Sequence, residues 1–352
     1  GDEGKRMEII KTELQEMKDR YSDDRRTEIE HNAEDFSYED MIPNEEVVIT
    51  VSHQGYVKRT ALTEYRTQGR GGIGSKGVST KEDDWTEYLF TASTHNYLLI
   101  FTDKGKLFWL KTYAIPEGSK TAKGRPIQNL INITQDDKIR SIIQVENLED
   151  QDYINNHFLV MVTKQGVIKK TTLEQYSRPR TNGIIALNFR EDDQLVHVAK
   201  TNGDQHIVIA AKSGRAIHFH ESAVRPMGRT ATGVKAITLS DKEDYVIGMV
   251  CASEPNATLL VVSEKGYGKR SDLDEYRITN RGGKGVKAMN VTEKTGALVA
   301  IKEVVDTDDL MIINKSGITI RISMDELRVM GRATQGVRLI KVGEGDEISS
   351  VE

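Results

Sequence analysis

The chain has 352 residues, of which 37% are hydrophobic and 29% charged, and its formal net charge at pH 7 is −5. No apolar run approaches the length of a membrane span and no secretory signal opens the chain, so we expect a cytoplasmic protein without a membrane partner. The single cysteine, Cys251, excludes an intrachain disulfide and fits a reducing compartment.

The charges are unevenly distributed along the chain. Residues 1–46 contain sixteen acidic and seven basic residues, a net charge of −9, which leaves +4 for the remainder. A charge asymmetry of this kind is a weak sign of a polyanionic partner. A solvated acidic linker beside an ordinary surface explains the charges equally well.

The first thirty residues have the pattern of a coiled-coil helix. Met7, Ile10, Leu14, Met17 and Tyr21 recur at steps of three and four, which is an a/d seam. So short a seam is marginal alone, and we expect the helix to pack on a surface outside this chain. The sequence therefore predicts a helical segment over residues 1–30, an acidic linker over 31–46 and a folded domain over 47–352.

A pattern of about fifty residues that occurs six times dominates the sequence. Each copy has an apolar run, a polar turn that ends in glycine, and a second run. The turn glycines are Gly55, Gly105, Gly166, Gly214, Gly266 and Gly317. A second glycine follows after 19 residues, or 17 in the third copy: Gly74, Gly124, Gly183, Gly233, Gly285 and Gly336. Such a repeat indicates stacked units, each of which needs its neighbours to bury its apolar face.

The residues around the first glycine predict a β-hairpin in every repeat. In the second copy, the strand Tyr97–Phe101 is followed by the turn Thr102–Gly105 and then by Lys106–Trp109. A polar tetrad that ends in glycine suits such a turn, because glycine accepts positive φ. Alternation in the segments 168–171 and 268–271 predicts that basic side chains line one exposed face of the second strand.

Two more strands are predicted in each repeat. A third strand follows the second glycine, as in Val234–Leu239, Val286–Val291 and Val337–Val342. A fourth strand is predicted at Ile139–Val145, Leu195–Ala199, Val246–Ala252 and Leu298–Val304. Four strands in each of six units predict an all-β, six-bladed, propeller-like disc, because closure removes exposed sheet edges.

The loops between the second and third strands carry the candidate functional residues. They are loop 1 (68–77), loop 2 (120–126), loop 3 (178–183), loop 4 (228–233), loop 5 (280–287) and loop 6 (331–336). Glycine lets backbone N–H groups approach a phosphate, and lysine and arginine supply charge. The cations that we predict to contact DNA are Arg70, Lys76, Lys120, Lys123, Arg125, Arg178, Arg180, Arg229, Arg281, Lys284 and Arg332.

Cofactor and metal chemistry is not expected. No loop has the lysine pattern of a nucleoside triphosphate site. His218 and His220 form the only close histidine pair, and no acidic or cysteine partner lies near them in sequence. No acidic cluster of the type that holds Mg²⁺ is present.

One of these loops carries a resemblance to a known family. Gln68–Gly74 resembles the GyrA box, the heptad Gln-Arg-Arg-Gly-Gly-Lys-Gly of the C-terminal domain of the DNA gyrase A protein. Segments 24–29, 124–127 and 331–337 are also similar to that family, so the resemblance covers essentially the whole chain. It implies a six-bladed β-pinwheel that wraps duplex DNA, largely without sequence preference, to enable ATP-dependent negative supercoiling.

The resemblance also implies which residues of loop 1 bind DNA. Those that match the box are Gln68, Arg70, Gly71, Gly72 and Gly74. Two positions depart from it, since Gly69 and Ile73 stand where the box has basic residues. Lys76 lies two residues beyond and partly compensates, while 281–285 in loop 5 is closer to the box core than loop 1 is.

The family further implies partners and an enzyme context. The segment 1–30 resembles the end of the coiled coil that precedes the domain, and the implied partners are the gyrase A cleavage domain and the gyrase B protein in an A2B2 enzyme. The family's cleavage tyrosine lies in a domain absent from this sequence. We therefore expect a DNA-binding module of a type II topoisomerase, an isomerase, without its own catalytic residues.

Other functions are compatible with parts of the sequence. The departures in the box keep the C-terminal domain of the topoisomerase IV A protein as an alternative, although six full repeats favour gyrase. A protein-interaction propeller is a second alternative, and a catalytic propeller a third. The repeated feature here is a cationic loop and aromatic residues are only 6%, which favours DNA.

Overall fold

The computed structural model describes residues 2–27, 37–64, 84–253, 256–316 and 319–351, which fall into two compact units divided after Met41. In the first unit an α-helix spans Glu3–Tyr21, within the segment predicted to be helical, and the Asp2 carboxylate accepts a hydrogen bond from the Gly4 backbone at its start. The apolar residues of the predicted seam are exposed on this helix. A 3₁₀ turn spans Tyr38–Met41.

The second unit contains six antiparallel sheets, one for each repeat, which we number as blades 1 to 6 in chain order. The two strands of each predicted hairpin form its centre. The first strands are Glu46–Ser52, Tyr97–Thr102, Phe158–Thr163, His206–Ala211, Thr258–Ser263 and Asp309–Asn314. The second strands are Tyr56–Ala61, Lys106–Lys111, Val167–Thr172, Arg215–His220, Tyr267–Asp272 and Thr319–Ser323. The prediction of a hairpin in every repeat is confirmed.

An inner strand pairs with the first strand of each blade. The inner strands are Thr86–Ser93, Ile139–Val145, Leu195–Thr201, Val246–Ala252, Leu298–Val304 and Ile348–Val351. Those of blades 2 to 5 are the predicted fourth strands, and in every blade the pairing of the inner strand contains one register shift. Residues of all six inner strands line one central cavity of about 600 Å³, which places the blades in a ring. The predicted all-β, six-bladed, propeller-like fold is confirmed.

The outer strand of each four-stranded blade is contributed by the next repeat. These two-residue strands are Arg125–Pro126, Ile184–Ile185, Val234–Lys235, Val286–Lys287 and Val337–Arg338. The predicted third strands of six residues are therefore too long. The next backbone N–H, that of Ala236 for example, donates to the carbonyl of Gly166 in the preceding hairpin turn, which ends the strand pairing. Blade 6 has three described strands.

Apolar cores lie between consecutive blades. Five buried clusters are described, and each combines side chains of two neighbouring blades; Val162 and Ile209, for example, meet between blades 3 and 4. A short 3₁₀ turn follows each second strand, and the described part of this unit contains one α-helix, Gln151–Asn156. None of the described helices is both long and apolar enough to cross a membrane.

Candidate nucleic-acid interface

Loops 2 to 6 lie at the outer edge of the ring. Each leads directly into, or contains, the two-residue outer strand, while the central cavity borders the opposite edge of the sheets. The predicted residues of loop 1 fall outside the described part of the chain; they are Gln68, Arg70, Gly71, Gly72, Gly74 and Lys76. The loops can therefore be compared in five repeats.

The second glycine brings each loop against the preceding blade. Gly233 has φ +104°, and a Cβ there would lie 2.5 Å from the carbonyl oxygen of Ile168. At Gly285, with φ +72°, a Cβ would lie 2.2 Å from the carbonyl oxygen of Ala216. Only glycine fits this backbone and this close approach. The spacing that predicted the loops thus reflects a packing requirement.

The nine predicted cations of loops 2 to 6 fall into two groups by exposure. The exposed group comprises Arg125, Arg178, Arg180 and Lys284. The half-buried group comprises Lys120, Lys123, Arg229, Arg281 and Arg332. The Nζ of Lys123 lies 3.9 Å from the ring centre of Tyr56, a cation–π contact. The exposed group can reach a ligand directly, although Arg178 also lies 3.6 Å from a carboxylate oxygen of Glu174. The half-buried group is enclosed further by the protein.

Three arginines at one repeat position join neighbouring loops. Arg281 of loop 5 donates to the carbonyl oxygen of Lys235, 2.5 Å away, in the outer strand that follows loop 4. Arg229 of loop 4 donates to the carbonyl of Ile185, and Arg332 of loop 6 to that of Lys287. Because each acceptor is the second residue of an outer strand, these hydrogen bonds connect loops 3 to 6 in sequence around the edge.

Side chains from the second strands fix the segments before the loops. In five blades, the side chain of the residue four positions after the turn glycine donates a hydrogen bond to a backbone carbonyl of the next repeat. That carbonyl belongs to the 3₁₀ turn or to the residue just after it. The donors are Arg59, Trp109, Lys170, His218 and Arg270. Five side chains of four chemical types perform this task, so the position cannot be recognised from residue type.

The prediction that basic side chains line an exposed face of the second strand is wrong. Lys169, Lys170, Lys269 and Arg270 are buried, as is Lys58 in blade 1. In blades 1 to 5 the second strand lies between two other strands and its side chains face neighbouring blades and loops, so an alternating pattern does not produce a solvent-exposed face there. Burial lowers the pKa of Lys169 to about 7, and the nearby Arg229 contributes to the lowering.

Exposed cations at two more repeat positions were missed by the sequence analysis. The first set lies eleven residues after the turn glycine and comprises Arg225, Arg277 and Arg328. The second set lies two residues after the second glycine and comprises Lys235, Lys287 and Arg338. Lys287 lay inside loop 5 but was not selected. Aligning the repeats on their glycines would have found both sets.

The central cavity offers no comparable cluster of one charge. Its lining includes the cations Arg140, Lys200 and Lys302 but also the acids Glu87 and Glu303. Burial raises the pKa of Glu87, with His53 opposing the shift. Within the described ranges, no group of three or more histidine, cysteine or acidic side chains could hold a metal ion. The outer edge is therefore the better candidate site.

The repeats match a known family model. The model for the DNA gyrase C-terminal domain, beta-propeller, matches six times, at residues 46–93, 96–146, 157–202, 205–253, 257–304 and 308–352. The chain belongs to this family. The predicted resemblance to the C-terminal domain of the gyrase A protein is thus confirmed.

Curated relatives agree with this assignment. The DNA gyrase A protein of Staphylococcus epidermidis is 44% identical over 352 residues, and that of Staphylococcus aureus is 44% identical over 351. Each match covers 99% of this chain and 39% of the relative, so the chain spans about two fifths of their length. Together with the family match, these relatives place the chain in the C-terminal region of the gyrase A protein.

Two solved structures share the fold. A structure of the DNA gyrase A C-terminal domain matches with a TM-score of 0.73 at 24% identity, covering 87% of this chain and 99% of that one. A crystal structure of the C-terminal domain of DNA topoisomerase IV matches with a TM-score of 0.71 at 26% identity, covering 89% and 94%. Fold alone therefore does not separate gyrase-type from topoisomerase IV-type domains.

Proposed function

We propose that this gyrase-type domain binds duplex DNA along its outer edge and bends it around the ring. One observation carries the proposal: cationic loops recur at equivalent positions of successive blades, and hydrogen bonds join loops 3 to 6 along that edge. The exposed cations Arg125, Arg178, Arg180 and Lys284 would contact phosphates, with the half-buried ones beside them. The residues of loop 1 would extend this path.

The energy of bending requires several loops to act together. Bending 20–30 bp by 40–90° costs on the order of 1–6 kcal/mol. A single exposed charge contact contributes about 1 kcal/mol or less. Several blades must therefore hold one duplex at once, as histones do without reading bases.

Binding would be largely independent of sequence. The one α-helix described in the ring, Gln151–Asn156, has six residues and leaves little surface for reading a major groove. The candidate contacts are long cationic side chains and backbone N–H groups, which suit phosphates. Such contacts make affinity fall with salt, by a slope of about 0.9 for each phosphate neutralised.

The domain would work as one part of a larger enzyme. It would act with the gyrase A cleavage domain and the gyrase B protein in an A2B2 type II topoisomerase, and DNA wrapping would enable negative supercoiling. The six family matches and the gyrase A relatives favour gyrase over topoisomerase IV. Replacing Arg70 and Lys76 with alanine in the whole enzyme should then abolish supercoiling and leave relaxation.

The direct test uses a duplex of several helical turns with a fluorophore at each end. We expect saturating protein to shorten the end-to-end distance and the affinity to fall steeply with salt. Replacing both Arg178 and Arg180 with alanine should reduce the shortening more than the affinity, because neighbouring loops still hold the duplex. An unchanged distance with wild-type protein would show that the domain does not bend DNA, and an affinity insensitive to salt would favour a protein-interaction propeller.

A further inference from the structure

A buried lysine lies three residues after the turn glycine in alternate blades. Lys58 in blade 1, Lys169 in blade 3 and Lys269 in blade 5 are exposed by only 1%, 1% and 0%. The corresponding residues of blades 2 and 4 are the buried Phe108 and Ile217. The blade therefore does not need a lysine at this position to fold.

Each ammonium group is directed at the backbone of the next even-numbered loop. Lys58 Nζ donates to the carbonyl oxygens of Lys120 at 2.6 Å and Ala122 at 2.9 Å in loop 2, and of Ser119 at 3.0 Å just before it. Three acceptors saturate the three N–H donors of an ammonium group. Loop 2 is thus closed around the end of the lysine.

The same arrangement recurs in the other two lysine blades. Lys269 Nζ donates to the carbonyls of Arg332 and Thr334 in loop 6, the latter at 2.8 Å. Lys169 Nζ donates to the carbonyls of Arg229 in loop 4 and of Ala186, the latter at 2.6 Å. All three lysines therefore bond the backbone of the loop that follows in the next repeat.

The carbonyl common to all three sites belongs to a candidate DNA contact. It lies four residues before the second glycine, on Lys120, Arg229 and Arg332. The ammonium therefore fixes the backbone of a residue whose side chain carries positive charge in the loop. At Arg229 and Arg332 the guanidinium also joins the neighbouring outer strand, so one residue is held at both ends.

We propose that Lys58, Lys169 and Lys269 are positioning residues whose buried ammonium groups hold loops 2, 4 and 6 in the conformation that presents their cations to DNA. The proposal rests on the proposed function of the outer edge. It assigns the lysines no contact with DNA, because their side chains are enclosed by the loops that they hold.

The first test measures the hydrogen exchange of the loop backbone in the absence of DNA. Lys169→Met keeps a long apolar side chain and removes the donor. In hydrogen exchange of the full chain, we expect the backbone amides of Arg229 and Ala231 to exchange roughly ten-fold faster, as one lost hydrogen bond of a charged group predicts. Loops 5 and 6 should not change. Ile217→Met is the matched control, since it places the same residue at the same position of blade 4 and should leave loop 4 unaltered.

The second test measures bending with the doubly labelled duplex. At saturating protein, Lys169→Met should reduce the shortening of the duplex, and it should leave the salt slope of binding unchanged when Arg229 has already been replaced by alanine. A slope that Lys169→Met lowers by about 0.9 in the Arg229→Ala background as well would mean that Lys169 itself contacts a phosphate, and would overturn the positioning role. Lys269→Met gives an independent version of both tests at loop 6.

The outcomes separate this proposal from the proposed function. Unchanged loop exchange in both lysine variants would overturn the link between lysine and loop. Faster exchange with unchanged bending would overturn the role in DNA binding. A wild-type protein that binds without bending would refute the proposed function and the DNA role with it, and the exchange data would still decide the lysine–loop link.

Discussion

Blades 1, 3 and 5 differ from blades 2 and 4 in the side chain that supports the loop of the next repeat, which is a lysine in the first group and an apolar residue in the second. Under loops 2, 4 and 6 lies an ammonium group bonded to loop carbonyls. Loops 3 and 5 lie against apolar side chains instead; a Cβ at Gly183 would be 2.7 Å from the Phe108 ring, and one at Gly283 would be 3.7 Å from Ile217. The same fold thus accepts either a polar or an apolar support.

The two supports differ in their effect on stability. An apolar side chain gains free energy on burial. A buried lysine loses hydration, which is why the pKa of Lys169 falls to about 7 and that of Lys269 to about 8. The carbonyls that it bonds offset part of this loss. A lysine at this position therefore holds the loop backbone by directed hydrogen bonds and lowers stability, whereas an apolar residue supports the loop by packing and raises stability.

We expect the largest effect on stability when a lysine replaces the apolar residue at this position of blade 4. Ile217→Lys puts an ammonium group into the cluster between blades 3 and 4, next to a loop that has not closed around it. We expect a loss of about 3 kcal/mol in the free energy of unfolding, as for a buried charge without a partner. Urea denaturation against Ile217→Met would measure it. Equal stability of the two variants would mean that loop 5 can close around a lysine as loop 4 does.

A smaller effect should appear in the pH dependence of stability. The pKa of Lys169 is about 7 in the folded chain, against an ordinary value of 10.5 for lysine, so the unfolded chain binds more protons between these values. The free energy of unfolding of wild type should therefore rise relative to Lys169→Met from pH 7 to pH 9, by about 1 kcal/mol per pH unit. Urea denaturation at several pH values would measure the difference.

The control for this pH dependence is Ile217→Met. Its difference from wild type should stay constant over the same range, since both retain Lys169. No pH-dependent difference should appear below about pH 6, where Lys169 is protonated in both the folded and the unfolded chain. A difference between wild type and Lys169→Met that stayed constant from pH 7 to pH 9 would contradict the expectation and would show that the carbonyls compensate for the lost hydration.

The glycine spacing predicted the architecture because it reflects backbone geometry. Gly233 and Gly285 need positive φ and close approach to the preceding blade, so the chain repeats them at fixed intervals. The glycine spacing did not predict which blade the outer strand joins. Val234–Lys235 pairs with a strand of the preceding repeat and not with one of its own. Sequence proximity favours pairing within a repeat, and no local pattern reports pairing between repeats.

The candidate site was also predicted only in part, because the burial of its cations depends on residues far away in sequence. Composition identified the cationic loops but did not distinguish the exposed Lys284 from the half-buried Arg281 in the same loop. The buried Lys169 has the same residue type as a phosphate contact, and its alternation with apolar neighbours suggested exposure. Burial of this lysine depends on a carbonyl group sixty residues away, that of Arg229, and no local pattern encodes it.

The smallest effects should separate these two kinds of cation within loop 5. Lys284→Ala removes an exposed charge and should lower the salt slope of DNA binding by about 0.9, with stability unchanged within about 0.5 kcal/mol. Arg281→Ala should cost about 1 kcal/mol of stability, because it also removes hydrogen bonds to the carbonyls of Lys235 and Ala223. Thermal denaturation and binding titrations at two salt concentrations measure both quantities for each variant. If the two variants proved equally stable, the arginine hydrogen bonds would contribute nothing to the outer edge. The half-buried cations would then differ from the exposed ones in position alone, and the support of loop 5 would come from its apolar neighbours.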